Sequence, residues 1–216
     1  MAGFFISFEG IDKSGKSTQA ARLVRYLQEA GREVVFTHEP GGTELGQELR
    51  HLALNWKPQN SQSGVDPTAE IFLFAADRAQ HVAEIIQPAL EEGKIVVTDR
   101  YVDSTLAYQV YGKKINKNFI QNIHKYILDG VKPNLTFVLK VSPKASRKRL
   151  IKRKTTNRYD NFAQSFYTKA QKSFLKIAKN RKNYFILDSS VNDSSLEKKI
   201  FRIVCKYLKI TILLRI

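Results

Sequence analysis

Apolar residues along the chain alternate between short β-rich runs and stretches of helical spacing. Phe4 to Phe8 is an apolar run that stops at Glu9-Gly10, as a buried parallel strand does before a tight loop. From Lys16 to Ala30, the residues Ala20, Leu23, Val24 and Leu27 recur at three- and four-residue spacing, with Gly31 as a C-terminal cap, which predicts a helix. Val34 to Thr37 reads as a second strand, the Pro-Gly-Gly core of HEPGGT (38–43) as a turn, and about Glu44 to Leu54 as a helix. Beyond a polar loop at 55–67, Thr68 to Glu92 is helical, with Pro88 marking a kink or a break. Ile95 to Thr98 is a third strand closed by Asp99-Arg100. Helical patterns start around Ser104 and run from Asn116 to Leu128, and Pro133-Asn134 introduces a fourth strand, Leu135 to Val141. Pro143 suits the first turn of a helix carrying Arg147, Arg149 and Arg153, and the Thr- and Asn-rich stretch 154–160 reads as a mobile loop. A long helix from about Ala163, a short strand at Tyr184 to Leu187 and a last helix from Ser194 complete the pattern. Strands alternating with helices imply an α/β fold whose parallel sheet is covered on both faces.

A chain of 216 residues suits one domain with a real core. The apolar ending ITILLRI is far shorter than the roughly 20 residues a membrane span requires, and the start lacks the charged n-region of a signal peptide, so a cytoplasmic protein is expected. Cys205, the single cysteine, has no internal disulfide partner, and its place in IFRIVCKYL assigns it to packing. The net charge of +16 is uneven. Residues 1–112 hold 10 Lys+Arg against 15 Asp+Glu (net −5), whereas residues 113–216 hold 26 against 5 (net +21). Lysines interleaved with Asn and Ser on helix faces favour a solvated surface over a nucleic-acid site, and a positive field also assists a phosphate-handling cleft. A nucleic-acid partner is therefore not expected, but a basic nucleic-acid-binding protein stands as the rival reading from another class.

Gly10-Ile11-Asp12-Lys13-Ser14-Gly15-Lys16-Ser17, followed by Thr18, matches GxxxxGK[ST] between a predicted strand and a predicted helix, the context that confirms a P-loop. Its glycines let the backbone wrap an anion, its N–H groups point inward, and the following helix adds its positive end. Lys16 is expected to bridge the β- and γ-phosphates of ATP and the Ser17 hydroxyl to bind Mg²⁺. Lys13 is either an ordinary exposed lysine or a cation that reaches the transferring phosphoryl group, as an arginine finger does. Asp99, at the end of a strand near the P-loop strand, either holds Mg²⁺ directly or through water, or is a plain turn residue. There is no NKxD for guanine and no DxxG switch after the third strand, which argues against a GTPase.

FEGIDKSGKST, HEPGGT, LFAADRAQH and DRYVDSTLAYQ, in matching order over residues 4 to about 188, resemble thymidylate kinases. The resemblance implies a five-stranded parallel sheet of the nucleoside monophosphate kinase type, a P-loop NTPase fold with a mobile lid, and a homodimer using ATP and Mg²⁺. One kinase domain would span 1–216, with the lid at about 150–162 and a tail, 209–216, of no assigned role. The implied reaction moves the γ-phosphoryl group of ATP to dTMP, giving dTDP and ADP for dTTP synthesis; a kinase for another nucleoside monophosphate is the nearest alternative. Phe74 would stack on thymine and Arg78 bond its carbonyl, although LFAA by itself reads as core. Arg100 would grip the dTMP phosphate. Ser104, Thr105, Tyr108 and Gln109 would line the base and sugar pocket, with Tyr108 disfavouring a 2′-hydroxyl. Glu39 and Asp12 would lie near the sugar 3′-hydroxyl and the metal.

Bacterial relatives usually carry Asp-Arg-X-Glu in the lid, where this chain has Asn157-Arg158-Tyr159-Asp160. Lys13, Arg153 and Arg158 are all candidates for the cation at the migrating phosphoryl group. The acceptor oxygen is already ionised near neutral pH, so no general base is assigned.

Overall fold

The computed structural model describes residues 3–57, 64–142, 145–146, 148–149, 158–191 and 193–210. Five strands, β1 (Phe4–Glu9), β2 (Val34–His38), β3 (Ile95–Asp99), β4 (Leu135–Lys140) and β5 (Tyr184–Asp188), form an all-parallel sheet in the order β2-β3-β1-β4-β5. Each lies within one residue of the expectation from sequence, and the number of strands agrees with that implied by the resemblance.

Alternation along the central strand explains the two covering layers. Ile6 and Phe8 point to a cluster with Leu23 and Leu27 of α1 (Lys16–Glu29) and Ile200 and Val204 of α8 (Ser194–Leu208). Phe5 points the other way, to Val82, Ile86 and Tyr101. On that second face, Val138 packs with Tyr167, Ala170 and Phe174 of α7 (Gln164–Ala178). Phe8 and Phe137 are fully buried, and burial of each such side chain contributes about 1.5–3 kcal/mol.

Between the strands run α2 (Glu44–Asn55), α3 (Pro67–His81), α4 (Gln87–Glu91), α5 (Val102–Thr105) and α6 (Lys117–Leu128). Pro88 does not end its segment: a π-helical turn, Val82–Ile86, joins α3 to α4, which carries Pro88 in its first turn. A proline supplies no N–H to the preceding turn, and the wider turn absorbs that loss. A second π-helical stretch, Leu106–Gly112, continues α5. Residues 158–161 of the expected mobile lid form a turn of 3₁₀ helix with Tyr159 buried, while the expectations for Pro143, Arg147, Arg153 and 154–157 fall outside the described residues.

The sheet order reverses at β1: the chain moves out to β2, returns to β3 beside β1, then crosses to β4. Open α/β sheets bind ligands at the carboxyl ends of strands flanking such a reversal. Phe8 is paired with Asp99 there, so the P-loop leaving β1 and the Asp99-Arg100 turn leaving β3 are held side by side.

Candidate active site

The helix after the P-loop is prepared for an anion by what it lacks. α2, α3 and α8 are capped by the side chains of Thr43, Asp66 and Asp193, whereas α1 has Gly15 at its N-cap, no side-chain cap and no acid in its first turn. Its first N–H groups and positive end remain available to an anionic ligand. Gly10 adopts φ 138°, and a Cβ there would meet the Leu139 carbonyl oxygen at 2.6 Å, so only glycine fits. Lys16 is buried and donates to the Ile11 carbonyl at 3.0 Å; burial, then repulsion from Arg100, pulls its pKa down to about 8 against Asp99, Asp12 and Glu9. The Ser17 hydroxyl donates to Asp99 Oδ2. Asp99 Oδ1 is buried and makes no hydrogen bond among the described residues. Asp12, Lys13, Lys16, Ser17, Thr18 and Asp99 all line this pocket, with Arg149 at its rim.

Arg100 joins the phosphate loop to the next pocket. Its backbone holds φ 79°, uncommon for a residue with a side chain, and its N–H donates to the Phe8 carbonyl at 2.9 Å. Glu9 secures the same turn, accepting from the Tyr101 N–H at 2.9 Å and the Ser104 hydroxyl at 2.7 Å. The guanidinium donates to the Gly10 carbonyl at 3.0 Å, Ser104 at 2.8 Å and Asp12 at 2.7 Å, and lies 5.3 Å from the Tyr108 ring centroid. Burial works to raise the Asp12 pKa, but Arg100 and Lys16 outweigh it and hold the carboxyl below its ordinary range. Burial and the neighbouring Asp103 push Glu9 the other way, to about 8.

A second pocket opens beyond Arg100, lined by Phe74, Arg78, Ser104, Thr105, Tyr108 and Gln109, all expected there, together with Leu54, Asp77 and Tyr159. Phe74 is half-buried at its wall. Tyr108 donates to Asp12 at 3.3 Å. Arg78 enters this pocket with its N–H donors already engaged. They serve Glu39, Thr105, a neutral His124 and the Tyr101 carbonyl. Burial and then Arg78 push the His124 pKa down to about 3, which makes the ring an acceptor. Burial opposes the charge on Glu39, but Arg78 and His81 keep it ionised, and His81 also meets Thr37 at 2.7 Å. Asp77, raised to about 6 by burial and by Glu39, accepts from the Gly41 N–H at 2.8 Å and so fixes the HEPGGT turn.

Asp12, Glu39, Arg50 and Arg100 line both pockets, so the two are neighbours across these four residues. Arg158, one of the candidate cations for the migrating phosphoryl group, is bonded in this structure to Glu70 and the Val65 carbonyl. Glu9, Arg50 and Tyr159 had not been assigned from sequence. The acid closing an otherwise apolar first strand was the available signal for Glu9.

A family model described as thymidylate kinase matches residues 8–200. The chain is 42% identical over 191 residues to a thymidylate kinase of Bifidobacterium longum (strain DJO10A), covering 88% of this chain and 91% of that one. It is 37% identical over 204 residues to a thymidylate kinase of Halothermothrix orenii, covering 93% and 96% respectively. The crystal structure of thymidylate kinase from Ehrlichia chaffeensis superposes with a TM-score of 0.73 at 31% identity, covering 94% of this chain and 99% of that one.

Proposed function

Because this chain belongs to the thymidylate kinase family and phosphorylates dTMP with ATP, we propose that the two pockets divide the substrates between them. The ATP polyphosphate lies in the P-loop pocket and dTMP lies beyond Arg100. The observation that carries this division is the shared wall: Asp12, Glu39, Arg50 and Arg100 face both spaces, so donor and acceptor phosphates converge on Arg100. Phe74 offers an aromatic face to thymine, and Arg78 bonds a thymine carbonyl by exchanging Thr105 or His124.

An oxygen of the dTMP phosphate bonds to the γ-phosphorus as the bond from that phosphorus to the β,γ-bridging oxygen breaks, leaving dTDP and ADP. No proton has to move, and the protein's tasks are alignment and charge neutralisation. Lys16 holds the donor phosphates, Arg100 the acceptor phosphate, and Lys13 supports the migrating group. Ser17 and Asp99 fit Mg²⁺. Both are hard oxygen donors, the buried Asp99 Oδ1 makes no hydrogen bond among the described residues, and no cluster of three or more His, Cys, Asp or Glu competes among those residues. When bound, that cation neutralises phosphate charge.

The chain acts as one kinase domain. Exposed Phe72 and Phe119, in edge-to-face contact at 5.9 Å, and exposed Tyr126, about two turns further along the same face of α6, support a homodimer through α3 and α6. No helix among the described residues is long and apolar enough to cross a membrane, and the lone Cys205 supports a cytoplasmic location. ADP release measured across the nucleoside monophosphates tests the acceptor. dTMP is expected to give the highest kcat/KM, and a chain that turns over another monophosphate and ignores dTMP refutes the reading.

A further inference from the structure

Glu70 is fully buried in the first turn of α3, yet it lines neither pocket. A buried carboxylate is costly unless neighbours satisfy its charge and lone pairs. Here four side chains do so. Lys113 reaches both oxygens at 2.8 Å, Arg158 donates to Oε2, Gln109 donates to Oε1 at 2.9 Å, and the Tyr159 hydroxyl donates to Oε1 at 2.9 Å. Gln109 also donates to the Tyr159 hydroxyl at 2.8 Å. Two of these partners, Gln109 and Tyr159, are walls of the acceptor pocket, one from the π-helical stretch after α5 and one from the 3₁₀ turn at the end of the lid. Arg158 ties that turn to the chain entering α3 as well, through the Val65 carbonyl at 3.4 Å.

We infer that Glu70 is a positioning residue for the acceptor: it draws Gln109 and Tyr159 together and uses Arg158 to hold the lid-proximal turn over the monophosphate. Arg158 then serves acceptor capture and does not reach the transferring phosphoryl group. Burial, reinforced by the adjacent Glu70 charge, keeps the Tyr159 hydroxyl protonated, so it stays a donor across the working pH range. The inference rests on the assignment of the second pocket to dTMP.

The test compares Glu70→Gln, Arg158→Ala and the double variant, with dTMP binding measured by calorimetry without ATP and kinetics measured with each substrate varied. Each single variant is expected to weaken dTMP binding about 10- to 100-fold, the range for losing a hydrogen bond to a charged group. The KM for ATP and kcat stay within about threefold, and the double variant is no worse than the weaker single, because the residues act as one unit. A fall in kcat with dTMP affinity unchanged places Arg158 at the reacting phosphate and overturns the inference, as do losses that multiply in the double variant. Should Glu70→Gln fail to fold, Arg158→Lys decides: restored dTMP affinity supports the clamp, and an affinity as poor as that of Arg158→Ala refutes it. Wild-type protein that binds a different monophosphate refutes the pocket assignment alone, and the variants are then compared on that monophosphate.

Discussion

The Arg100 guanidinium donates to the Asp12 carboxylate across 2.7 Å, pinning the turn after β3 to the phosphate loop where the two pockets meet. The same guanidinium reaches Gly10 and Ser104, so its planar fork is used in several directions at once. A lysine would keep the charge and lose the fork. Arg100→Lys is expected to lower kcat/KM for dTMP about 100-fold, the loss of two charge-assisted bonds, while the KM for ATP moves less than about threefold. Steady-state kinetics with each substrate varied in turn read this split. An equal loss for both substrates would remove Arg100 from the acceptor side.

Lys16 sets activity against stability. Burial lowers its pKa from 10.5 to about 8, so the charged ammonium costs the empty fold free energy that a bound polyphosphate repays. The penalty is full below pH 8, where folded and unfolded chains are both protonated. It fades between pH 8 and 10.5, where the unfolded chain alone keeps the proton. Lys16→Met should therefore be inactive yet more stable than wild type by about 1–3 kcal/mol at pH 7, an advantage that shrinks toward pH 10.5. Urea melts at several pH values measure it, and a destabilised variant at pH 7 contradicts the prediction.

The pairing of Ser17 with Asp99 gives the metal a matching test. Asp99→Asn keeps the shape and removes the charge. The magnesium concentration for half-maximal rate is expected to rise about tenfold, equivalent to roughly 1.4 kcal/mol of lost cation affinity. Excess Mg²⁺ should recover most of the rate, which titration of the ion at saturating substrates would show. A variant with unchanged magnesium dependence leaves Asp99 as a turn residue.

What the sequence made legible follows from how local each signal is. The five strands, the P-loop and the Asp99-Arg100 turn are written in contiguous residues, and a strand-end motif such as Asp99 needs only β1 beside β3 to reach Ser17. Glu9 and Glu70 were not legible, because their partners are distant in the chain: Ser104 lies 95 residues from Glu9, and Tyr159 lies 89 from Glu70. The same distance effect hid the partner of Arg158. Its place in the lid made it a candidate for the phosphate, and only the fold shows it beside the buried Glu70 carboxylate, which Lys113 also neutralises. Arg78 was expected to bond the base, and it does line the second pocket, but the four groups that engage it come from three separate segments.

The exposed face of α3 and α6 carries the last prediction. Phe72 is 54% exposed and Tyr126 88%, with Phe119 in edge contact with Phe72. Exposed aromatic surface stabilises association when it is buried against a second copy of the chain. Phe72→Glu places a charge at the centre of that patch, where desolvating it without a partner costs several kcal/mol, while the exposed position spares the fold. Sedimentation is expected to show wild-type protein as a dimer and Phe72→Glu as a monomer with an unchanged circular dichroism spectrum. Residues of α3 also line the acceptor pocket, so the monomer should bind dTMP more weakly than the dimer does. A variant that remains dimeric would move the interface elsewhere on the surface.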